Sequence, residues 1–458
     1  MHESKGIRVR ANISCMLALG ACVVLSPAVV AGQSSLQVPI QFDFINPGAK
    51  SLAVGGAFVG IADDATAGFA NPAGLRELNR SEWSLELRGR RLDSPFLERG
   101  RLSGPIENVG LDTINGPVYA DYHDPHVSIS YLAYVYASPQ RKWAISGFRH
   151  ELARVQQDVV SMGVFQKDPA ELASRRELPQ TGERELSVTS YAAAAAIELT
   201  PHVSIGGTLN VYTFDLRSDF RRFLHDGFSG PPLPDKEVGR ATQQGDDVAV
   251  APNLGLRACL KRCDDRTTAS FRGGFVYRHG PSFEYETQSG SALRTNTFRI
   301  PHVIAGGAVY ELPLNGRRIL MMVDVAHVTH SRLYEDFLVD QAIGTNVESN
   351  VHIDDGTEIH AGVQYTAETV RWRPRYRFGV WSDPDHSINY QVDSPGSTAD
   401  RRILDERMTA SLAPGDRQFH VAGGLGLTMT PRAELNVGAD FSSNAFTIST
   451  SLIFRMGQ

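Results

Sequence analysis

The feature that most constrains this chain is a strict alternation of apolar and polar residues that recurs along most of its length. It is clearest over residues 370–380, where one face carries Val370, Trp372 and Tyr376. The other face carries four arginines: Arg371, Arg373, Arg375 and Arg377. Successive side chains of a strand point to opposite sides of a sheet. A soluble sandwich has no place for four arginines against its core, whereas the wet lumen of a membrane barrel accommodates them.

Similar segments can be laid out along the chain after residue 80. Each spans roughly ten residues, the length of a tilted membrane strand. The segments are 81–91, 126–137, 142–152, 185–199, 202–216, 247–259, 268–279, 297–311, 317–330, 354–366, 370–382, 416–429, 432–442 and 445–456. Their number is even, as a single-chain bacterial barrel requires. The alternation therefore predicts an all-β fold, a 14-stranded antiparallel transmembrane β-barrel.

The connections between these segments alternate between long and short. The segment 92–125, for example, is followed by 138–141, and 331–353 is followed by 367–369. Outer-membrane barrels have long extracellular loops and short periplasmic turns. The pattern predicts a bacterial outer-membrane protein with both termini in the periplasm. Tryptophans on the apolar face near the short-turn end agree with an interfacial aromatic girdle: Trp83, Trp143 and Trp372.

The first 31 residues have the organisation of a secretory signal. Three basic residues precede a predominantly apolar stretch, Ile13–Val30, and small residues for cleavage stand before Gly32. Two alternatives stay open. Leu19–Cys22 looks like a lipoprotein box, although the apolar run continues beyond it. A retained transmembrane helix is opposed by Pro27 and by the shortness of the stretch.

Charge and hydropathy exclude several classes of protein. The formal net charge is −6, and removal of the signal makes the chain more acidic, so no basic field indicates nucleic-acid binding. No second run of about 18 apolar residues occurs, which excludes a helical membrane protein. We find no Gly-x-Ser-x-Gly elbow and no Ser/His/Asp set that spacing singles out, so we expect no enzyme. His327 and His330 are three residues apart and would point to opposite faces of a strand, so we expect no metal site there.

Two cysteines remain after the signal, Cys259 and Cys263. In an oxidising compartment, cysteines four residues apart can close a small disulfide at a turn. A metal site is the weaker alternative, because no histidine or second cysteine pair lies nearby in the sequence.

Residues 45–77 precede the first predicted strand and are rich in glycine, alanine and other small residues. Gly and Ala let backbones approach closely, so such a segment can pack inside another structure. It is too apolar for a solvated tail, and the barrel lumen is the place available to bury it. We therefore expect a signal peptide at 1–31, an N-terminal plug (hatch) at 32–80 and the barrel at 81–458.

The plug segment resembles the FadL/TodX family of outer-membrane transporters for fatty acids and aromatic hydrocarbons. The signature lies in Gly55–Phe58, Ala62–Ala65 and Asn71–Leu75. Further similarity lies in Ile300-Pro301 and in Arg377–Gly379, whereas residues 92–300 match only in strand layout. The resemblance covers most of the chain beyond the signal.

The resemblance implies passive uptake of hydrophobic molecules, such as long-chain fatty acids, through a plugged barrel. A molecule binds at the outer loops and enters the lumen. A plug movement or a strand kink then opens a route, and one alternative for that route leads sideways into the bilayer. The partners implied are a hydrophobic small molecule and outer-membrane lipid, and the resemblance implies no cofactor. The motif places six residues on the ligand path in the plug: Phe58, Asp63, Asp64, Asn71, Pro72 and Ala73.

The same signature is shared with PorV-like barrels, which leaves a second function open. Such a barrel serves as a protein-secretion or assembly partner and binds another protein at its outer loops. It needs no continuous lumen. A tunnel from the outer loops to the periplasm or to the barrel wall would separate the two hypotheses. The sequence does not indicate whether the barrel is monomeric.

Strand parity selects candidates for the lumen lining. The apolar candidates are Leu132, Tyr134, Tyr212, Phe214, Leu320 and Met322. A general porin would place charges at such positions, so these apolar residues favour an apolar path for the solute. They could equally pack against the plug. The charged candidates are Arg373 and Arg375. They could steer a carboxylate, with which arginine pairs well, or be neutralised by acids such as Asp63, Asp64 and Asp324.

Overall fold

Strands dominate the computed structural model of the protein. The residues that it describes are 46–106, 114–140, 142–167, 174–176, 179–225, 232–261, 267–333, 350–392 and 399–457. The predicted signal, the first part of the predicted plug and Cys263 lie outside them. Cys259 is disulfide-bonded. No described helix is both long and apolar enough to cross a bilayer.

Fourteen strands form a closed antiparallel barrel, as the alternation predicted. They are β1 (Glu82–Arg101), β2 (Gly116–Ala137), β3 (Trp143–Ser161), β6 (Gln180–Thr200), β7 (Val203–His225), β8 (Pro232–Lys261), β9 (Ser270–Arg278), β12 (Val303–Leu314), β13 (Arg317–Val328), β15 (Gly356–Ala367), β16 (Arg375–Asp383), β18 (Gln418–Thr430), β19 (Ala433–Phe441) and β20 (Ala445–Arg455). Each pairs with the next in this order, and β20 pairs with β1 to close the barrel.

Six shorter strands lie outside this closed ladder. They are β4 (Phe165–Lys167), β5 (Ser174–Arg176), β10 (Ser282–Ser289), β11 (Ala292–Arg299), β14 (Val351–His352) and β17 (Asn389–Tyr390). The β10–β11 hairpin pairs with residues 241–244 of β8 and so extends the wall. A helix, α3 (Ala399–Ser411), packs against β14 and β17 through Met408, and Leu412, which follows the helix, belongs to the same cluster.

The alternation of side chains works on most strands as predicted. On β13, Met321, Val323 and Val325 are exposed on the outer face, while Leu320 and Met322 are buried on the inner face. The predicted girdle residues Trp83, Trp143 and Trp372 are also exposed on the outer face. They lie at the end of the barrel that carries the short connections, hereafter the turn end. The opposite end is the loop end.

Several strands are longer than predicted. The segments 92–125, 153–184 and 217–246, expected to be mainly loops, are mostly strand, and β8 reaches 30 residues. Their polar residues also alternate in burial, so the ladder continues beyond the apolar band. By contrast, β16 and β19 have only 9 residues each. The wall is therefore tall from β1 to β8 and short from β12 to β20.

The lumen assignment of Leu132 and Tyr134 was wrong, because β2 contains a bulge. The register with β1 shifts between the pairs Glu86–Tyr131 and Leu87–Ile129, which leaves Ser130 as an extra residue. A bulge places two residues opposite one and changes the facing of the residues beyond it. Leu132 and Ile129 lie on the two sides of the bulge and are 42% and 48% exposed on the outer face, while Tyr131 is fully buried inside.

Prolines account for two further corrections. Pro374 has no N–H for the ladder, so β16 begins at Arg375 rather than at residue 370. Arg373 therefore lies in the preceding turn, exposed and with φ 43°, and does not face the lumen. The predicted strand 297–311 is likewise interrupted: β11 ends at Arg299, and β12 begins at Val303 beyond Ile300-Pro301.

The N-terminal segment forms a plug with little regular structure. It contains α1 (Ala49–Ala53), α2 (Ala67–Ala70) and a short 3₁₀ helix, Pro72–Glu77. Nearly every residue from Asn46 to Leu75 is buried. Its apolar side chains belong to the same hydrophobic cluster as those of the inner wall, so plug and barrel share one core.

Candidate functional site

A belt of glycines on the inner wall holds the plug. At each of eight positions, an added Cβ would lie 2.2–2.8 Å from a plug atom, a distance that real Cβ atoms essentially never show. We call these residues the glycine belt: Gly206, Gly255, Gly274, Gly307, Gly362, Gly379, Gly424 and Gly438. They lie on β7, β8, β9, β12, β15, β16, β18 and β19. At these strands the plug backbone rests directly on the wall.

The tightest contacts of the belt involve the plug signature itself. A Cβ at Gly379 would lie 2.2 Å from the Gly55 nitrogen, and one at Gly255 would lie 2.2 Å from the Asn71 side-chain oxygen. The neighbouring glycines Gly306 and Gly423 face the other way and have nothing closer than 3.9 and 3.7 Å. The close approach therefore depends on which face a glycine occupies.

Asn71 is the best-connected polar residue of the plug. Its amide nitrogen donates to the Val59 carbonyl at 3.0 Å and to the Leu256 carbonyl of β8 at 3.1 Å. Its oxygen accepts from the Ala73 N–H at 3.2 Å, which caps the 3₁₀ helix that starts at Pro72. Ser204 of β7 donates to the Ala73 carbonyl at 3.0 Å. The predicted path residues Asn71, Pro72 and Ala73 therefore lie where the plug joins the wall.

The other predicted plug residues make contacts within the plug. Asp63 forms an ion pair with Lys50, whose ammonium group also lies 5.5 Å from the Phe58 ring centroid. Asp64 accepts hydrogen bonds from the Thr66 N–H at 3.0 Å and from the Thr66 hydroxyl at 2.5 Å. Across the wall, Asp324 of β13 accepts from the Val59 N–H at 2.6 Å. These carboxylates organise the plug backbone.

The arginines of β16 are paired rather than open to the lumen. Arg375 and Arg455 both contact Glu434 of β19, at 2.9 and 3.0 Å. Arg377 donates to Gln364 at 2.7 Å and to Asn436 at 2.8 Å. Glu434, which the sequence analysis did not single out, thus supplies the main counter-charge. The acids expected to do so were Asp63, Asp64 and Asp324.

One side of the lumen on the loop-end side of the plug is apolar and aromatic. Phe214 of β7 stacks on Phe283 and Phe298 of the β10–β11 hairpin, with ring centroids 4.8 and 5.3 Å apart. Tyr212, Leu186, Val188 and Leu216 are buried in the same cluster. Tyr212 and Phe214 thus face inward as predicted. Phe283 was missed because its segment was assigned to a loop, although Phe283 and Tyr285 alternate with glutamates.

The opposite side of the lumen is polar. Trp381 of β16 stacks between His420 and His360, with ring centroids 3.8 and 5.2 Å away. Asp440 accepts from the Trp381 indole at 2.9 Å and lies 2.6 Å from the His420 ring nitrogen. The predicted candidates Leu320 and Met322 face inward on this side and belong to the core shared with the plug. The lumen therefore has an apolar and a polar half.

The wall is split between β2 and β3. Their ladder runs only from Ala137–Ala144 to Tyr131–His150, while β2 continues along β1 and β3 along β6. Beyond this point side chains bridge the strands. Ser128 donates to Glu151 at 2.5 Å, and Arg149 donates to the Ile129 carbonyl. The exposed apolar side chains of Val127 and Ile129 show that the split begins within the lipid-facing band.

The plug meets this split side of the wall through side chains. The Tyr131 hydroxyl donates to the Ala65 carbonyl at 3.0 Å. Gly68 lies against the Phe148 ring, and the Phe69 ring lies edge-on to His150. A register shift in β3 next to Leu152 adds a second bulge beside the end of the ladder. Bulges bend strands and end pairing, so the two bulges account for the split.

A closed fourteen-stranded barrel with an internal plug is a bacterial outer-membrane fold. Three solved structures are similar to it over their full length. The CymD monoaromatic hydrocarbon channel has 15% identity over 91% of this chain, with a TM-score of 0.52. The Ralstonia pickettii toluene transporter TbuX has 12% identity over 91%, with a TM-score of 0.51. A Pseudomonas aeruginosa FadL homologue has 11% identity over 92%, with a TM-score of 0.52.

The similarity lies in structure and not in sequence. No protein-family model matches the chain, and no curated protein sequence matches it. The structural likeness covers 100% of each of the three channels. The chain therefore has the fold of the FadL/TodX-type outer-membrane channels.

Proposed function

We propose that this protein is an outer-membrane channel for the passive uptake of hydrophobic molecules, such as long-chain fatty acids or aromatic hydrocarbons. The observation that carries the proposal is the juxtaposition of an apolar half-lumen with a split in the wall. The buried cluster around Phe214 leads down to Tyr131 and His150, where the β2–β3 ladder ends. The structural neighbours are hydrocarbon channels and a toluene transporter, which agrees with this proposal.

The route begins at the loop end and passes the aromatic stack of Phe214, Phe283 and Phe298. It reaches the plug at Phe69 and turns sideways between β2 and β3, into the outer leaflet. A lateral exit keeps an apolar solute out of water, so no step requires an energy source, an enzyme or a cofactor. The proposal includes periplasmic termini and a cleaved N-terminal signal, which place the loop end outside the cell.

The test is uptake of radiolabelled oleate and toluene by cells that lack their own transporter and carry this protein. Ser128→Cys with Glu151→Cys places two thiols across the split, where the native side chains are 2.5 Å apart. A short bis-methanethiosulfonate linker, which joins each thiol through a disulfide, should close the split and abolish uptake, and reduction of those disulfides should restore it. Thr189→Cys with Thr213→Cys is the matched control, because this pair lies in the unbroken β6–β7 ladder.

The outcomes separate the parts of the proposal. Unchanged uptake after linkage across the split would refute the lateral route but leave a channel. Absence of uptake of both solutes by folded wild-type protein would refute the channel. A PorV-like role, with a protein partner at the loop end, would then be tested by co-purification. Wild-type protein treated with the same reductant controls for the disulfide of Cys259.

A further inference from the structure

One polar side chain at the split, the imidazole of His150, is fully buried. His150 of β3 has no exposed surface, and neither of its ring nitrogens has a hydrogen-bond partner within the described part of the chain. Its ring lies 4.3 Å from Phe69 of the plug and 5.8 Å from Tyr131, centroid to centroid, edge-on to both. A buried polar group without a hydrogen-bond partner destabilises the state that contains it. The seated plug therefore holds His150 in an unfavourable state.

The position of His150 links it to the proposed route. His150 and Tyr131 form the last pair of the β2–β3 ladder, directly beside the split. Ser130, the bulged residue next to Tyr131, is also buried, and its hydroxyl has no partner among the described residues. Above them lie apolar wall residues such as Leu152 and Val188. Two unsatisfied polar groups thus adjoin the apolar cluster of the inner wall.

The chemistry of these groups selects a class of solute. A neutral imidazole offers one donor and one acceptor, and a hydroxyl offers both. A hydroxyl or carboxyl group on the solute could satisfy them, whereas a bare hydrocarbon would leave them unsatisfied. Sites built to hydrogen-bond a solute discriminate strongly against analogues that lack the group. The apolar side chains of the adjoining cluster match the hydrocarbon body of the same molecule in polarity.

We infer that His150, with Ser130 beside it, binds the polar end of hydrophobic solutes that carry one hydroxyl or carboxyl group. This inference rests on the proposed channel function. The plug covers the site, since Phe69 lies on the imidazole and Ala65 accepts from Tyr131. The α2 end of the plug must therefore shift before the solute binds. A ligand that bonds only the uncovered His150 favours the shifted plug, because it has higher affinity for that state.

The experiment compares two solutes with the same carbon chain, 1-decanol and decane. Uptake of both is measured in cells that carry the wild type, His150→Phe, His150→Asn or His123→Phe. His150→Phe keeps a flat ring without nitrogens, and the ratio of decanol uptake to decane uptake should fall about tenfold. His150→Asn retains a donor and an acceptor and should preserve most of the ratio. His123→Phe is the control, because His123 is exposed on β2 outside the lumen.

A second measurement uses purified protein, labelled with ¹⁵N-histidine, in detergent micelles. Decanol should shift the His150 imidazole signal, which is assigned by its loss in His150→Phe, and decane should not. An unchanged uptake ratio in His150→Phe, or equal shifts with both solutes, would overturn the inference. If wild-type cells take up neither solute, the channel proposal fails. The imidazole signal then still decides whether His150 binds the hydroxyl group.

Discussion

The two sides of the barrel hold the plug in different ways. From β7 to β19 the glycine belt leaves no wall Cβ where the plug comes closest, and polar wall side chains such as Ser204 and Asp324 bond the plug backbone there. On β2 and β3 it meets Tyr131, Phe148 and His150, and there the ladder is split. Side chains can change rotamer, whereas a backbone contact cannot be repacked without moving a strand. We therefore expect the glycine belt to hold the plug in place, and we expect the plug to move on the side of the split.

The largest effect on folding should come from placing side chains at the glycine belt. Gly274→Val with Gly307→Val places side chains where an added Cβ already lies 2.4 Å from the Val59 carbonyl oxygen and 2.8 Å from the Gly60 nitrogen. Overpacking typically costs about 1–3 kcal/mol per site, so we expect most of the folded, heat-modifiable species to be lost on gels. Gly273→Val with Gly306→Val, on the outer face of the same strands, should fold normally. Equal loss of the folded species in both double variants would show that the glycine belt does not hold the plug.

A smaller effect is expected from Asn71→Ala. This change leaves the Val59 and Leu256 carbonyls and the Ala73 N–H without their present partner. Local opening of the plug should become easier by about 2–4 kcal/mol. Faster hydrogen exchange of plug amides and increased ion conductance in planar bilayers would show it. Asn71→Asp keeps the acceptor for Ala73 but sets a carboxylate oxygen against the Val59 and Leu256 carbonyls, so it should open the plug at least as much as Asn71→Ala. Wild-type exchange in Asn71→Ala would contradict the assigned role.

Tyr131→Phe tests the split side with a single hydrogen bond. Loss of the bond to the Ala65 carbonyl should cost about 1 kcal/mol. Exchange should accelerate in residues 65–70, next to the split, and stay unchanged in residues 49–56, which rest on the belt. If both ends of the plug exchange faster to the same degree, the plug moves as one body. The contrast between the two sides would then be wrong.

The smallest effect is a pH dependence at the loop end, on the polar half of the lumen. Burial opposes the charge of His386, but the nearby Asp383, 3.4 Å away, outweighs it and raises the pKa of His386 to about 9. The stabilisation is complete below pH 6.5 and is lost as the pH rises from 6.5 to 9. Thermal unfolding in micelles should show a decrease in Tm across this window. His386→Gln should remove it, and an identical decrease in the variant would assign it elsewhere.

Parts of this architecture follow directly from the sequence. The period-two pattern of β13 places Met321 and Val323 outside and Met322 inside, as found. The pattern misled on β2, because one extra residue at Ser130 keeps apolar side chains outside on both sides of the bulge. Periodicity cannot locate an inserted residue when both faces are apolar. Pro374, by contrast, was a visible signal that the strand starts later.

The site was harder to predict than the fold. The partners of Asn71 depend on contacts across 185 residues of chain, which no local pattern reports. The belt did leave a trace in the sequence, because four of its members sit in Gly-Gly pairs: 206–207, 273–274, 306–307 and 423–424. One glycine of each pair faces the plug. The isolation of His150 could be recognised only once its neighbours were known.

The unequal height of the wall has a consequence for how molecules arrive. At about 3.3 Å per residue, β8 is roughly 100 Å long, several times the thickness of a hydrocarbon core. The 9 residues of β16, on the other flank, extend little beyond that core. The rim of the barrel at the loop end is therefore oblique, higher at β8 than at β16. Phe214 and Phe283 lie buried on the inner side of this taller wall. Under the proposed channel function, a solute at the loop end would meet the taller wall before it reaches the plug.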